Sequence, residues 1–136
     1  MEDYLKYLII ILLILVFDAL WIGTNIKMYS DSVKAVQKSE MVIRKHYAFI
    51  AYALVIFTVF YISIPIVISN IKSSDNNLQK LYKCFIYGGA TGFVIYGIYN
   101  TTSLSIYKDY DWKVAIFDTM WGTFLNTVIP FIFLQL

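Results

Sequence analysis

Two aspartates, Asp18 and Asp118, stand inside long apolar stretches, and each has the same local setting. Phe17-Asp18-Ala19-Leu20-Trp21 is followed by Gly23 and Thr24, and Phe117-Asp118-Thr119-Met120-Trp121 by Gly122 and Thr123. Each motif reads Phe-Asp-x-x-Trp, and residues three apart share one helix face. Placing an aspartate near the centre of a membrane helix costs roughly 2.5–3.5 kcal/mol, so such a residue faces a protein interior and finds a partner. Two chemistries fit. The carboxylates could hydrogen-bond between helices, or they could bind a proton, an ion or a ligand. Trp21 and Trp121 would fill space beside them, each with one indole N–H to donate.

Other reactive types give little. One His, one Cys and two intramembrane Asp form no recognisable metal spacing, so no metal and no cofactor are assigned. Thr101 and Ser103 could be nucleophiles, but His46, the only histidine, has no visible orienting partner, so no catalytic residue is named. Gly88-Gly89-Ala90-Thr91-Gly92 lies inside an apolar run and reads as helix packing rather than a phosphate loop. Cys84 is alone, which excludes an intrachain disulfide. The formal net charge of +2, with no basic run, gives no sign of a nucleic-acid partner.

The elements that must position these residues follow from composition. The chain has 136 residues, about one domain, and is 60% hydrophobic and 15% charged. A soluble bundle of that size has too little interior for so much apolar surface, so the excess faces lipid. The first apolar stretch is too long for a signal-peptide core, and no small-x-small cleavage site follows it. A spanning helix needs about 20 mostly apolar residues. Four stretches qualify: Leu5–Ile26, Tyr47–Ile68, Leu81–Leu104 and Lys113–Leu134. The expectation is an all-α, integral membrane bundle of four transmembrane helices in a single domain over residues 1–136. Ser30-Asp31-Ser32, with Val33 and Val36, predicts a short interfacial helix in the first connection. Ser73 to Asn77 reads as a solvated turn. Tyr4, Tyr7, Tyr29, Tyr47, Tyr82, Tyr107, Tyr110 and Trp112 mark interface belts.

Depth ties the polar residues together. Asp18 lies about 12 Å from the end of the first helix, Asp118 about 8 Å into the fourth and Asn100 about 6 Å from the end of the third. All three distances run from the membrane face that carries the first and third connections, where His46 also opens the second helix. Gly88-x-x-x-Gly92 and Gly89 let a neighbouring backbone approach, with Tyr96 and Tyr99 continuing the line. Thr119, Thr123 and Asn126 form a polar stripe beside Asp118 on the fourth helix. Lys27, Lys34, Lys38, Arg44, Lys45, Lys108 and Lys113 flank the first and third connections, against Lys6, Lys72, Lys80 and Lys83 on the other side. That seven-to-four excess favours the first and third connections as cytoplasmic. The basic first connection is expected to contact anionic lipid headgroups.

Asp18-x-x-Trp21, Tyr96-Gly97-Ile98-Tyr99-Asn100-Thr101-Thr102-Ser103-Leu104 and Asp118-x-x-Trp121-Gly122-Thr123 resemble the pattern of one family. It is domain of unknown function twenty-one seventy-seven, small four-helix membrane proteins of bacteria and large DNA viruses. The resemblance covers nearly the whole chain and implies a fold and a location, but no activity. Members usually carry Tyr-Asp-x-Thr-Asn where this chain has Tyr99-Asn100-Thr101-Thr102-Ser103, so Asn100 and Ser103 depart from the pattern. The Ile-, Lys- and Asn-rich usage fits the viral kind.

The expected function is that of a non-enzymatic structural or assembly component, in a viral setting a protein of the virion's internal membrane. Its polar cluster of Asp18, Trp21, Asn100, Thr101, Asp118, Trp121 and Asn126 would engage a lipid headgroup or a partner protein. Gly88, Gly89, Gly92 and Gly122 would serve packing. Membrane lipids, a second copy of the chain or a membrane or capsid protein are the expected partners. The alternative is an oligomeric transporter or channel for a proton, cation or small solute, with Asp18 and Asp118 as the titrating groups. A lipid-modifying enzyme using an Asp as general base is a third reading.

Overall fold

A computed structural model describes residues 3–136. The described residues form four helices and no strand. We number them α1 (Asp3–Gln37), α2 (Lys45–Asn70), α3 (residues 77–106) and α4 (Trp112–Gln135). Three of them, α1, α2 and α4, are long and apolar enough to cross a membrane, with mean hydropathies of 2.5, 2.4 and 1.3. The more polar α3 packs along α4 inside the same bundle. Large apolar side chains such as Phe49, Leu54 and Tyr61 face outward, as lipid-facing helices require.

At 35 residues, α1 is about 52 Å long against an apolar core of about 30 Å, so its last turns project beyond the membrane. The separate interfacial helix expected at Ser30 is therefore corrected to a continuation of α1. No Gly or Pro interrupts the chain between Ile26 and Gln37, and a helix need not end where the membrane does. Asp31 pairs one turn back with Lys27 at 2.6 Å, and the Ser32 hydroxyl accepts the Asp111 backbone N–H at 3.3 Å. The helix stops at Lys38, whose φ of 59° closes it in the left-handed conformation, with its N–H on the Lys34 carbonyl.

Two helices contain a wide, π-helical turn: Val59–Ser63 in α2 and Cys84–Gly89 in α3. Pro65 lacks an N–H, so the ladder of α2 breaks one turn upstream, where the wide turn lies. The start of α3 is a capping box: Asn76 accepts the Gln79 N–H and Gln79 accepts the Asn76 N–H, each at 2.9 Å. Asp111 caps α4 through the Lys113 N–H at 2.8 Å.

The interior has an apolar half and a polar half. Ile10, Ile14, Val59, Ile64, Leu125, Ile129 and Phe133 form one buried cluster among α1, α2 and α4. Along α3, the Gly88 and Gly92 backbones lie against the Asn126 and Gly122 carbonyls of α4, so a Cβ at either position would overlap them. That close contact fixes α3 against α4 and holds Asn100 beside Asp118.

Candidate functional site

The two Phe-Asp-x-x-Trp motifs meet across the bundle. Connectivity through four helices makes α1 and α4 antiparallel, and the indoles of Trp21 and Trp121 stack with centroids 4.8 Å apart and planes at 3°. One indole reaches the other helix directly, and the other does so through a tyrosine of its own helix. Trp121 Nε1 donates to Asp18 Oδ1 at 2.6 Å. Trp21 Nε1 donates to the Tyr29 hydroxyl at 2.9 Å, and that hydroxyl donates to Asp118 Oδ1 at 2.8 Å.

Helix α3 completes the network. Asn100, 1% exposed, donates from Nδ2 to Asp118 Oδ2 at 2.7 Å and to the Tyr96 carbonyl at 2.9 Å. Its Oδ1 accepts the Tyr110 hydroxyl at 2.7 Å. Tyr110 lies in the connection between α3 and α4, and burial, then the neighbouring Tyr99 and Asp118, push its phenol up to about 12. It therefore stays a neutral donor. Both Asp118 oxygens thus have donors, whereas Asp18 has one. Asp18 is 6% exposed, and among the described residues its Oδ2 takes no donor.

That oxygen is not sealed off, since no fully buried side-chain oxygen among the described residues lacks a partner, and Asp18 lines a cavity of about 310 Å³. Its polar floor is Asp18, Asp118, Tyr29 and Tyr96, beside the Trp21 and Trp121 indoles. Ile22, Ile26 and Val33 of α1 form an apolar wall, and Met41 and Ile43 of the α1–α2 connection form the roof. Both carboxyl groups line the same cavity.

The remaining sequence-named residues are placed as follows. Thr101, one residue round the helix from Asn100, is exposed and turns its hydroxyl back to the Gly97 carbonyl at 2.7 Å, outside the network. Asn126 is buried but belongs to a second polar pair. It accepts the Ser63 hydroxyl at 2.6 Å and donates to the Gly122 carbonyl at 2.9 Å. Gly89 faces Thr127 of α4, and Gly122 faces the Tyr96 ring. Lys27, Lys34 and Lys38 are exposed and paired with Asp31, Glu40 and Asp109, while Arg44 and Lys45 are exposed at the start of α2. His46 is exposed against Tyr47 and lies outside the cluster, so α2 contributes Ser63 and a half-buried Tyr52 to the interior instead. Tyr99 is 64% exposed.

Sequence reasoning assigned Tyr29 and Tyr110 to the interface belts. Tyr29 stands eight residues after Trp21, two helical turns on and on the same face, a spacing that signals the contact once α1 continues past Ile26. Tyr110 carries no such signal, because its reach to Asn100 depends on how the short α3–α4 connection folds. Among the described residues, no three His, Cys, Asp or Glu side chains gather as metal ligands.

Long apolar helices with a buried polar network define a helical membrane protein. The chain belongs to the family described as predicted membrane protein (DUF2177), whose profile matches residues 4–133. No curated protein and no solved structure matches the chain.

Proposed function

We propose that this membrane protein is a non-enzymatic component that holds the head region of an amphiphile in the cavity beneath the α1–α2 connection. One observation carries the reading: a carboxylate oxygen of Asp18, without a protein donor, opens into a cavity of about 310 Å³ with an apolar wall and roof. A polar floor with apolar sides suits a molecule that is polar at one end and greasy at the other. Arg44 and Lys45, next to the roof, would meet anionic headgroups. The Lys and Arg excess favours a cytoplasmic side for the connections that bear them. In a virus the same protein would sit in the virion's internal membrane, alongside a second copy or a membrane or capsid protein.

The test is native mass spectrometry of the protein released from mild detergent, wild type against Ile26→Trp, which crowds the cavity wall. The expected result is a retained lipid that the variant loses. A bare wild-type protein, with no lipid raising its melting temperature, refutes the reading.

The presence of both carboxylates in one cavity supports a second reading, an oligomeric proton or cation transporter using Asp18 and Asp118. Reconstituted liposomes would then show flux that Asp18→Asn abolishes, and no flux for any tested ion refutes it.

A further inference from the structure

We infer that the cavity selects an organic ammonium group, held by the free Oδ2 of Asp18 and the aromatic side chains that line it. This rests on the cavity being a ligand site and names the chemistry of its ligand.

The argument starts from charge. Asp18 and Asp118 line one cavity, and every side chain that bonds them donates from a neutral group: an indole, a phenol and an amide. No Lys or Arg lines the cavity. The cations nearest in the chain are committed elsewhere, Lys27 to Asp31, Lys34 to Glu40 and Lys38 to Asp109. Two carboxylates in an apolar surround need a compensating positive charge or protons, because an uncompensated buried ion is expensive.

The shape then says which positive charge. The volume of about 310 Å³ is roughly ten times the share of liquid volume of one water, far more than a bare ion fills. Trp21, Trp121 and Tyr96 line it; the two indoles cover one face of each other by stacking, which leaves the Tyr96 ring and the outer side of Trp21 to attract an ammonium group. Asp118 is fully occupied by the Tyr29 hydroxyl and the Asn100 amide, so it supplies field rather than a contact. Asp18 Oδ2 supplies the contact. An inorganic cation would instead want several oxygen ligands, and of the floor's oxygens those of Asp118 and Tyr29 are already engaged in the network, which leaves Asp18 Oδ2 and the Tyr96 hydroxyl. The ammonium could belong to a lipid headgroup or to a small soluble amine.

The experiment uses the full chain in a neutral detergent, in a Trp112→Phe background so that fluorescence reports only the stacked Trp21–Trp121 pair. The probes are ethanolamine and choline, short-chain phosphatidylethanolamine and phosphatidylcholine, and phosphatidylglycerol and diacylglycerol with the same chains. The expected result is saturable quenching and a raised melting temperature with the ammonium lipids alone. Apparent affinity should fall at least tenfold in Asp18→Asn. It should fall similarly in Ile26→Phe, which crowds the cavity wall without adding a fluorophore, keeps both carboxylates and guards against a folding defect in the first variant. Binding by the soluble amines but by none of the lipids keeps the ammonium inference and removes the amphiphile reading. Equal binding of phosphatidylglycerol or diacylglycerol removes the ammonium inference and leaves the amphiphile reading standing. No binding by any probe, or ammonium binding that neither substitution weakens, overturns the inference.

Discussion

Replacing each aspartate by asparagine should have opposite consequences. Asn keeps the size and one acceptor but turns the other oxygen into a donor. At Asp118 both oxygens are used, by the Tyr29 hydroxyl and the Asn100 amide. If the new NH₂ faces Asn100, two donors meet, and Asn100 cannot turn over because its own amide already serves the Tyr96 carbonyl and the Tyr110 hydroxyl. If it faces Tyr29, that hydroxyl loses its acceptor. One bond is lost either way, leaving a part-buried donor unsatisfied, which costs about 1–3 kcal/mol. Interhelical bonds measured within membranes average about 0.6 kcal/mol, which pulls the cost to the low end of that range, so we place Asp118→Asn at about 1 kcal/mol less stable. At Asp18, Asn can keep its oxygen toward Trp121 Nε1 and turn its NH₂ into the cavity. That change removes a charge from an apolar setting, and stability should stay within about 0.5 kcal/mol of wild type or rise. The assay is reversible unfolding in mixed micelles followed by far-UV circular dichroism, without added lipid. Asp18→Asn as damaging as Asp118→Asn would refute the assignment of one carboxylate to structure and the other to the cavity.

Three further outcomes follow from local geometry. Gly92→Ala pushes a Cβ into the Gly122 carbonyl, a backbone atom that no rotamer change can move, and should cost about 1–3 kcal/mol in the same assay, whereas Gly23→Ala meets nothing within 4 Å and should be neutral or stabilising by about 0.5–1 kcal/mol. Equal effects of the two would count against the close α3–α4 contact. Lys38→Ala and Lys38→Gly both remove the ion pair to Asp109, but only glycine is at ease at φ 59°, so the glycine variant should be about 1 kcal/mol the more stable, and an alanine variant of equal melting temperature would contradict that end to α1. The carboxyl of Asp75 is held below its ordinary value of 3.8 by the Lys72 backbone N–H first and the Lys83 ammonium second. Its folded value lies below its unfolded one, so the stability it gives is complete above the unfolded value and is lost as pH falls through the folded one. Asp75→Asn should therefore flatten the fall in melting temperature below about pH 4, and an unchanged profile would remove Asp75 from the account.

The membrane bundle was legible because about 20 apolar residues in a row have few other uses. Helix ends were less so. The charges after Ile26 mark where the apolar run ends, and they say nothing about where α1 stops being helical, which Lys38 decides by backbone conformation. The capping box at Asn76 and Gln79 was present in the sequence, three residues apart, inside a segment read as a turn. The wide turns in α2 and α3 leave no periodic signature beyond a proline and two glycines that also admit an ordinary helix. At the site, spacing put Asp18 and Trp21 on one face, yet Trp121 serves Asp18 across the bundle and Trp21 reaches Asp118 only through Tyr29. Periodicity assigns a face and a depth. Which side chain crosses to meet it depends on helix rotation and separation, set here by the glycines of α3 and the apolar cluster of α1, α2 and α4.

Two copies of one motif on antiparallel helices would, if their surroundings matched, make a local two-fold site with equivalent carboxylates. Two features break the equivalence. The extension of α1 past the membrane brings Tyr29 within reach of Trp21, so that indole relays to Asp118 through a phenol instead of donating directly. Asn100 of α3 then fills the second oxygen of Asp118, and no residue of α2 donates to Asp18 in the same way: His46 is exposed, and the half-buried Tyr52 makes no hydrogen bond to it. The same extension of α1 carries Val33 and leads into the connection whose Met41 and Ile43 roof the cavity. A single feature, a helix longer than the membrane is thick, therefore both satisfies one carboxylate and shapes the cavity beside the other. The oxygen left without a donor is the one beneath the roof, which is where a ligand with its own donor and its own charge would complete the network.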